Sequence, residues 1–404
     1  MPDFSSVNIV SREFKADPFP FYAHLRAEQP VCCVTLPGRQ KAWLITRYDD
    51  VLAALKDTRF VKDIHNALTP EQLGKQPWIP NFAKPLTRNM LDLDDPDHAR
   101  LRTLVHKAFT PSMIENLRER IQQICDHLLA EIERKDSFDL VRDYALPVPL
   151  TVIVELLGIP HEDRQRFHRW SKNILRTPTT MNMVRALPSV RAFLNYLRDL
   201  FRKLRKSPQQ GLLTALVEVE EEGDRLSEDE LLAMAFLLLI AGHETTVNLI
   251  ASGTLALLQH PGQLEKLRGE PSLTKSGVEE LLRFTSPVET ASERYAREDV
   301  TVAGVKIPRG EQVLVVLASA NRDATQFPDP DELDITRANN RHLAFGFGAH
   351  FCLGAPLARL EGQIAIPALL SRLPSLKLAV APEKLRWRAT PTVRGLESLP
   401  VRLR

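Results

Sequence analysis

The chain has 404 residues, and its 53 Lys and Arg against 51 Asp and Glu leave a formal net charge of +2. This balance gives no reason to expect a nucleic-acid partner. The four cysteines form no C-x-x-C pair, and the adjacent Cys32 and Cys33 fit no disulfide framework. We therefore expect reduced thiols and a cytoplasmic protein.

The sequence predicts neither a membrane segment nor a division into domains. The N-terminal stretch MPDFSSVNIVSREF has no apolar core, so we expect no signal peptide and no anchor. The most apolar stretch, residues 231–241, is too short for a span of about 20 residues and is expected to be a buried helix. No linker, repeat or low-complexity run interrupts the chain. A single domain over residues 1–404, large enough to enclose a cofactor, is the expectation.

Most of the chain has the apolar spacing of helices. Residues 97–107 and 111–134 are predicted to be helical, the second helix with Thr110 as its N-cap. A long helix is predicted from Ser227 through Leu258, ending before a proline.

Strand signals are fewer. They fall at 42–46, at 300–302 and in a hairpin over 304–310 that leads into 312–318. Residues 321–341 have loop composition, and 62–90 and 176–189 are expected to be adaptable loops. The fold class is therefore mainly α with a small β-rich region.

The most informative segment is FGFGAHFCLG, which runs from Phe345 to Gly354 and precedes a helix-like sequence. Its glycines permit tight turns and a close approach of the backbone to a flat ligand. A cysteine just before a helix lies near backbone N–H groups and the positive end of the dipole, which favour the thiolate. Cys352 alone would more often be an ordinary buried cysteine, so its ten-residue context decides.

That context resembles the haem-ligand loop of the cytochrome P450 superfamily, with matches at Phe345, Gly348, His350, Cys352 and Gly354. The resemblance implies that Cys352 is the thiolate ligand of the iron of haem b and that the other four residues help to bind the haem. A thiolate on haem iron favours cleavage of the O–O bond.

A second resemblance lies in AGHETT, residues 241–246, on the predicted long helix. A glycine, an acid and two threonines suit a buried helix poorly, although Thr245 could simply bond back to its own helix. The family has a motif of this form on the helix that crosses the distal face of the haem. The resemblance implies that Ala241 contacts the haem, that Thr245 steadies dioxygen and that Glu244 relays protons. The sequence is not a zinc motif, because Val247 stands where the second histidine of H-E-x-x-H would be.

Glu280 and Arg283 fit the family's E-x-x-R motif. The same spacing recurs elsewhere in the chain, where it is typical of surface ion pairs. Only this pair lies between the threonine helix and the cysteine loop, so the resemblance implies a structural role for it.

Four further residues match positions that bind haem propionates in the family. His98 and Arg102 are four residues apart and share one face of a predicted helix, while Arg294 and His350 lie further along the chain. Each residue alone is more typical of an ordinary surface charge. Together they are expected to form a binding site for the haem propionates, in which arginine is favoured because it can make two hydrogen bonds to one carboxylate.

The resemblance extends over nearly the whole chain and is greatest for the soluble bacterial group that includes macrolide and polyketide hydroxylases. It implies a triangular prism of helices with a small β-rich region near the N-terminus. The haem would lie between the long distal helix and the proximal cysteine loop. The implied reaction is hydroxylation or epoxidation by one atom of dioxygen.

Two electrons would come from a ferredoxin or flavodoxin with its reductase. This donor would dock on a basic face of Arg100, His106, Lys107 and Arg359, unless these residues are scattered surface charges. The family selects substrates with residues 62–90, about 167–200 and 288–292. These regions supply a mostly apolar set: Trp78, Ile79, Phe82, Leu86, Met90, Met181, Met183, Val288 and Thr290. A macrolide or other polyketide, a terpenoid or a fatty acyl chain would suit such a pocket.

Three rival hypotheses remain open at this point. A peroxygenase would use peroxide, but that subgroup replaces the acid–threonine pair that stands here as Glu244 and Thr245. A haem-binding sensor or carrier would show no turnover. A helical scaffold would bind no haem at all.

Overall fold

The structure is a computed structural model of the chain and describes residues 7–38, 40–74, 79–164, 166, 167, 170, 180–221 and 224–403. Its contacts divide the chain into two compact units. The first unit consists of Met1–Leu73, Arg118–Val148 and Thr245–Arg404, and the second of Gly74–Leu117 and Pro149–Glu244. The single domain over residues 1–404 stays a prediction.

Helices dominate the described part of the chain. In chain order they are α1 (Arg12–Ala16), α2 (Phe19–Glu28), α3 (Tyr48–Lys56), α4 (Pro70–Gly74), α5 (Asp97–Ala108), α6 (Pro111–Glu115), α7 (Arg118–Ile132), α8 (Pro147–Leu157), α9 (Thr180–Lys206), α10 (Leu212–Glu218), α11 (Glu228–Gln259), α12 (Pro261–Gly269), α13 (Thr274–Thr285), α14 (Leu317–Ala320) and α15 (Ala355–Arg372). By length and composition α11 is apolar enough to cross a membrane, a property that it shares with core helices of soluble proteins.

The strands are short. They are β1 (Val31–Leu36), β2 (Gln40–Ile45), β3 (Phe60–Val61), β4 (Ser137–Asp139), β5 (Glu220–Glu221), β6 (Asp224–Arg225), β7 (Arg294–Ala296), β8 (Val300–Val302), β9 (Val305–Ile307), β10 (Gln312–Val315), β11 (Lys377–Leu378) and β12 (Pro400–Arg402). The largest sheet has the order β1-β2-β10-β7-β3. Within it β1 and β2 are antiparallel, with Val31 opposite Ile45, and β10 runs parallel to β2.

Several predicted elements agree with the structure. The helices α5 and α11 occupy the predicted positions, and residues 321–341 contain neither helix nor strand. The start of α11 is a capping box: the amide of Glu230 donates to the hydroxyl of Ser227 (3.3 Å), and the amide of Ser227 donates to the carboxylate of Glu230 (2.8 Å).

Three predictions of local structure are wrong. The helix predicted over 111–134 is split into α6 and α7, because the amide of Leu117 bonds to the carbonyl of Ile114 in a tighter turn that ends α6. Residues 180–189 belong to α9, while 176–179 lie outside the described residues. The hairpin predicted over 304–310 is instead formed by β8 and β9. Its turn lies at Ala303 and Gly304, which both have positive φ.

The core of the first unit forms where the C-terminal part of α11 packs against α13 and α15. Close approach is possible because small residues stand at the contacts. A Cβ added to Gly362 of α15 would lie 3.0 Å from the side chain of Leu249, and one added to Gly253 would lie 3.2 Å from that of Leu281. Leu249, Leu281 and Ile366 belong to one buried cluster that reaches the edge of the cysteine segment at Ala344.

Glu280 and Arg283 of α13 are both completely buried. Arg283 donates to both carboxylate oxygens of Glu280, at 2.7 and 2.8 Å. Its remaining donors bind the carbonyls of Asn321, Pro330 and Glu332 at 2.7–3.0 Å. The backbone carbonyls of the loop 321–341 have no partners within a helix or strand, and Arg283 donates hydrogen bonds to three of them. The pair thus has the structural role that was predicted for it.

The first testable prediction concerns this pair. Replacing Glu280 with alanine leaves the Arg283 charge buried without its carboxylate, which typically costs about 3–5 kcal/mol. We expect Glu280→Ala to lower the thermal unfolding midpoint sharply or to prevent soluble expression. The matched control is Glu265→Ala, which removes a pair of the same spacing whose glutamate is 69% exposed. The control should change the stability by less than about 1 kcal/mol. A Glu280→Ala protein as stable as the control would contradict the structural role.

Candidate functional site

The segment that carries Cys352 is a tight loop directly before a buried helix. Gly346 and Gly348 have positive φ angles of 69° and 75°, which side chains rarely tolerate. The amide of Cys352 donates to the carbonyl of Phe345 (3.0 Å) and closes the loop. Gly354 is the N-cap residue of α15. The exposed thiol of Cys352 therefore lies just before the positive end of a helix dipole.

The rest of the loop is shaped by close backbone packing. A Cβ added to Gly348 would lie 3.2 Å from the carbonyl oxygen of Leu55, so both the φ angle and the space require glycine here. His350, which is half-buried, ends the short 3-10 turn Gly348–His350. Phe347 and Phe351 are 41% and 38% exposed. The loop thus presents an accessible thiol among aromatic rings.

The cysteine loop is supported by a polar cluster of Glu279, His342 and Arg359, which the sequence analysis did not predict. Arg359 of α15 donates two hydrogen bonds of 2.8 Å to Glu279 of α13, and its guanidinium lies 4.5 Å from the ring centre of Phe345. The ring of His342 also bonds to Glu279 (3.0 Å). Burial by itself would raise the pKa of Glu279, but the hydrogen bonds from His342 and Arg359 outweigh it and lower the pKa to about 2. The signal in the sequence was the second acid directly before Glu280.

The four cysteines differ in their ability to act as a thiolate ligand. Burial raises the pKa of Cys32 and Cys33, and it raises that of Cys125 to about 11. These three side chains are therefore held as neutral thiols. Cys352 is the exposed one of the four. The donor set fits a haem bound through the thiolate of Cys352.

The predicted distal motif lies on α11, which is continuous through residues 241–246. Ala241 is exposed, and Glu244 and Thr245 are half-buried. His243 is buried instead, and its Nδ1 atom bonds to a carbonyl oxygen one turn earlier in the helix (2.7 Å). The polar groups predicted to act are therefore partly accessible, whereas the neighbouring histidine serves the helix itself.

The predicted propionate-binding residues fall into two sets. In the second unit, His98 and Arg102 lie one turn apart on α5. His98 is buried, and burial lowers its pKa even though the hydrogen bond with Asp95 (3.3 Å) opposes that effect. In the first unit, Arg294 is buried in β7, where it donates to the carbonyl of Ser292 (3.1 Å), and His350 belongs to the cysteine loop.

A buried acid that sequence reasoning did not single out is Glu361 of α15. Its side chain is 1% exposed, and neither carboxyl oxygen has a hydrogen bond of ordinary geometry within the described residues. Burial raises its pKa to about 8, and the nearby Thr246 hydroxyl offsets only part of this effect. Glu361 is therefore a protonated, neutral carboxyl group at neutral pH. Its signal in the sequence was the single acid of α15, followed by a mostly apolar stretch.

Comparison with known proteins identifies the family. The chain matches the family model described as Cytochrome P450 over residues 34–222 and 191–384. It is 47% identical over 395 residues to the polyketide biosynthesis cytochrome P450 PksS of Bacillus subtilis, with 97% of each chain covered. The solved structure of PksS superposes with a TM-score of 0.92 at 46% identity, covering 98% of this chain and 99% of that one.

Two further relatives extend the comparison. The cytochrome P450 monooxygenase PikC of Streptomyces venezuelae is 45% identical over 406 residues, which cover 100% of this chain and 95% of PikC. A myxobacterial cytochrome P450 crystallised with myristic acid has a TM-score of 0.91 at 42% identity, with 98% of each chain covered.

The fold and the thiol loop define a haem-thiolate oxidoreductase. The chain belongs to the cytochrome P450 family. Proteins of this family bind haem b, which is therefore the cofactor of this enzyme, and its reaction class is monooxygenation. The expected fold and family are thus confirmed.

The second prediction tests the haem ligand. Cys352→Ser should abolish the red-shifted Soret band of the reduced carbonyl complex, since that band requires a thiolate ligand on the haem iron. The matched control is Cys125→Ser, which removes a buried thiol and should leave the band in place. Retention of the band in Cys352→Ser, with its loss in a variant of Cys32, Cys33 or Cys125, would assign the ligand elsewhere.

The third prediction concerns the pH dependence of stability. The pKa of Glu361 is about 8 in the folded protein against an ordinary 4.5, so the folded state binds the proton more tightly than the unfolded state. The stabilisation is complete below the ordinary pKa and is lost as the pH rises towards 8. Relative to wild type, Glu361→Gln should therefore gain roughly 3 kcal/mol between pH 5 and pH 8.

The measurement is a series of denaturant melts of the haem-loaded proteins across this range. Glu383→Gln, which alters an exposed glutamate, serves as the control and should run parallel to wild type. A Glu361→Gln curve parallel to wild type would mean that Glu361 is ionised in the folded protein.

Proposed function

We propose that this enzyme inserts one oxygen atom of dioxygen into a C–H bond or a double bond of an apolar small molecule. The observation that carries the proposal is the exposed Cys352 thiol ahead of α15, in a chain whose other cysteines are held as neutral thiols. The proposed ligand is the thiolate of Cys352. When bound, the haem supplies the activation of dioxygen and the cleavage of its O–O bond.

The chain's own residues would bind the cofactor and manage protons. Arg294, His98, Arg102 and His350 are proposed to hold the two propionates, with the arginines suited to bidentate contacts. Phe345, Gly348 and Gly354 shape the loop around the thiolate, and Ala241 offers a small side chain on α11. Thr245 would hold a hydrogen-bonded water or dioxygen through its hydroxyl, and Glu244 would pass it a proton. Both side chains are partly accessible, as this role requires.

The proposed substrate is a polyketide, macrolide, terpenoid or fatty acyl compound. PksS is named for polyketide biosynthesis, and the myxobacterial relative was crystallised with myristic acid. Of the predicted pocket residues, Met90 and Thr290 are buried, Phe82, Leu86 and Val288 are half-buried and Ile79 is 39% exposed. Trp78 and the side chains of Met181 and Met183 lie outside the described part of the chain. A screen of these compound classes by the shift of the haem absorption would select the class.

The proposed electron donor is a ferredoxin or flavodoxin with its reductase, and the proposed location is the cytoplasm, where free thiols persist. His106 and Lys107 are exposed at the end of α5 and are the better candidates for a docking face. Arg100 already binds Asp224 and Glu230. Arg359 likewise forms two hydrogen bonds to Glu279 in the polar cluster beside the cysteine loop.

The fourth prediction tests the mechanism through Thr245. Without the hydroxyl that organises proton delivery, Thr245→Ala should still bind haem and consume NADPH, but should release much of the reducing power as hydrogen peroxide. The measurement is the ratio of product to NADPH consumed, with a substrate found by the screen. Substrate-dependent NADPH consumption by the wild type would also separate an enzyme from a haem sensor or carrier.

The control is Thr254→Ala on the same helix. Thr254 is fully buried, and its hydroxyl donates to the carbonyl of Ile250 (2.7 Å), so its loss should cost about 1 kcal/mol of stability without changing the coupling ratio. If Thr245→Ala behaves like Thr254→Ala with two chemically different substrates, Thr245 has only a structural role.

A further inference from the structure

Glu289 is a buried glutamate that the proposed chemistry does not use. Its side chain is 0% exposed. The ammonium group of Lys15 donates to its Oε2 atom (2.5 Å), and the hydroxyl of Tyr22 donates to its Oε1 atom. Lys15 is itself 1% exposed and Tyr22 is completely buried. Lys15 of α1 therefore forms an ion pair with this buried carboxylate, and Tyr22 of α2 donates a hydrogen bond to it.

Arg394 completes this cluster from the C-terminal segment. Its guanidinium donates to the carbonyl oxygens of Lys15 (2.9 Å) and Ala16 (3.0 Å), at the end of α1, where helix carbonyls lack partners within the helix. The same guanidinium lies 3.9 Å from the ring centre of Trp387. Burial lowers the pKa of Lys15 and lowers that of Arg394 to about 10, while the Glu289 charge opposes both effects. Glu289 thus offsets part of the effect of burial on two cationic side chains.

The backbone around Glu289 bends and is bonded on both sides. The amides of Glu289 and Thr290 donate to the carbonyl of Thr392 at 2.8 and 3.1 Å. On the other side, the amide of Ala318 donates to the carbonyl of Glu289 (3.0 Å). Glu289 lies between Val288 and Thr290, which belong to the segment 288–292 of the proposed substrate pocket.

We infer that Lys15, Tyr22, Glu289 and Arg394 form a buried clamp that fixes the position of the segment 288–292 and so determines which substrates fit. This inference rests on the proposed function, which assigns that segment to the pocket. Lys15 and Glu289 are then positioning residues: they act on specificity through the backbone, without contacting the substrate.

Stability alone does not account for such a clamp. Buried ion pairs are often no better for stability than apolar residues of similar volume. They do restrict geometry, because the carboxylate accepts hydrogen bonds only in certain directions from Lys15 and Tyr22. The clamp joins α1, α2 and the segment around Arg394 to a single backbone position. A specific placement of residues 288–292 is therefore its main effect.

The fifth prediction tests the clamp without a known substrate. Imidazole and clotrimazole both bind haem iron through a nitrogen and give a measurable absorption shift, but only clotrimazole fills much of the pocket. Lys15→Met and Glu289→Gln, loaded with haem, should bind imidazole within about twofold of wild type. Both should bind clotrimazole at least roughly fivefold more weakly, because the pocket wall is no longer held in place.

The matched control is Arg12→Met. Arg12 also joins α1 to the C-terminal segment, through Glu397, but the two side chains are 50% and 32% exposed. This variant should bind both ligands as wild type does. If a single variant folds poorly, the double variant Lys15→Met/Glu289→Gln removes both charges and keeps a partner for Tyr22. It should recover haem loading and retain the weakened binding of clotrimazole.

The outcomes separate this inference from the proposed function. Wild-type affinity for both ligands in haem-loaded Lys15→Met or in the double variant would overturn the clamp and leave the proposed function intact. A wild-type protein that gives no absorption shift with imidazole would overturn the proposed function itself.

Discussion

The buried ion pair of Glu280 and Arg283 connects α13 of the first unit to the irregular segment 321–341. Residues 321–341 contain no helix or strand, so their backbone carbonyls need partners from elsewhere. Arg283 binds three of them, and Glu280 accepts from the amide of Asp334 (3.0 Å) and from the side chain of Asn340 (3.0 Å). The loop that leads to the cysteine segment is thus built around one charge pair on α13.

The next residue on the same helix acts on the cysteine loop itself. Glu279 binds Arg359, which stacks on the ring of Phe345, while the carbonyl of Phe345 accepts the amide of Cys352. Glu279 and Glu280 are adjacent, yet they serve different segments because successive residues on a helix point in directions about 100° apart. A short stretch of α13 therefore supports both the approach to the loop and its thiol.

The sequence alone predicted those elements that depend on residues close together in the chain. The helix start at Ser227 could be predicted because a capping box involves residues three positions apart, and the glycine turns before Cys352 could be predicted because only glycine readily adopts their φ angles. The pairing of β2 with β10 was not predictable in this way, since their partners are about 270 residues apart and no local pattern selects them. The split at Leu117 was missed because the apolar spacing continues across it.

Three buried acids show the same limit for the site. Glu280, Glu289 and Glu361 are each at most 1% exposed, but their surroundings give them different states. An arginine pairs with Glu280, and a lysine and a tyrosine bind Glu289, so both carboxyl groups have hydrogen-bond partners in the core. Among the residues that the structure describes, no cation pairs with Glu361, and burial raises its pKa to about 8. The sequence pairs Glu280 with Arg283 three residues later, whereas the Lys15 and Tyr22 that bind Glu289 lie about 270 residues away and no local pattern marks Glu361. Of the three, Glu361 is the one whose pKa burial raises to about 8, so its charge depends on the pH near neutrality.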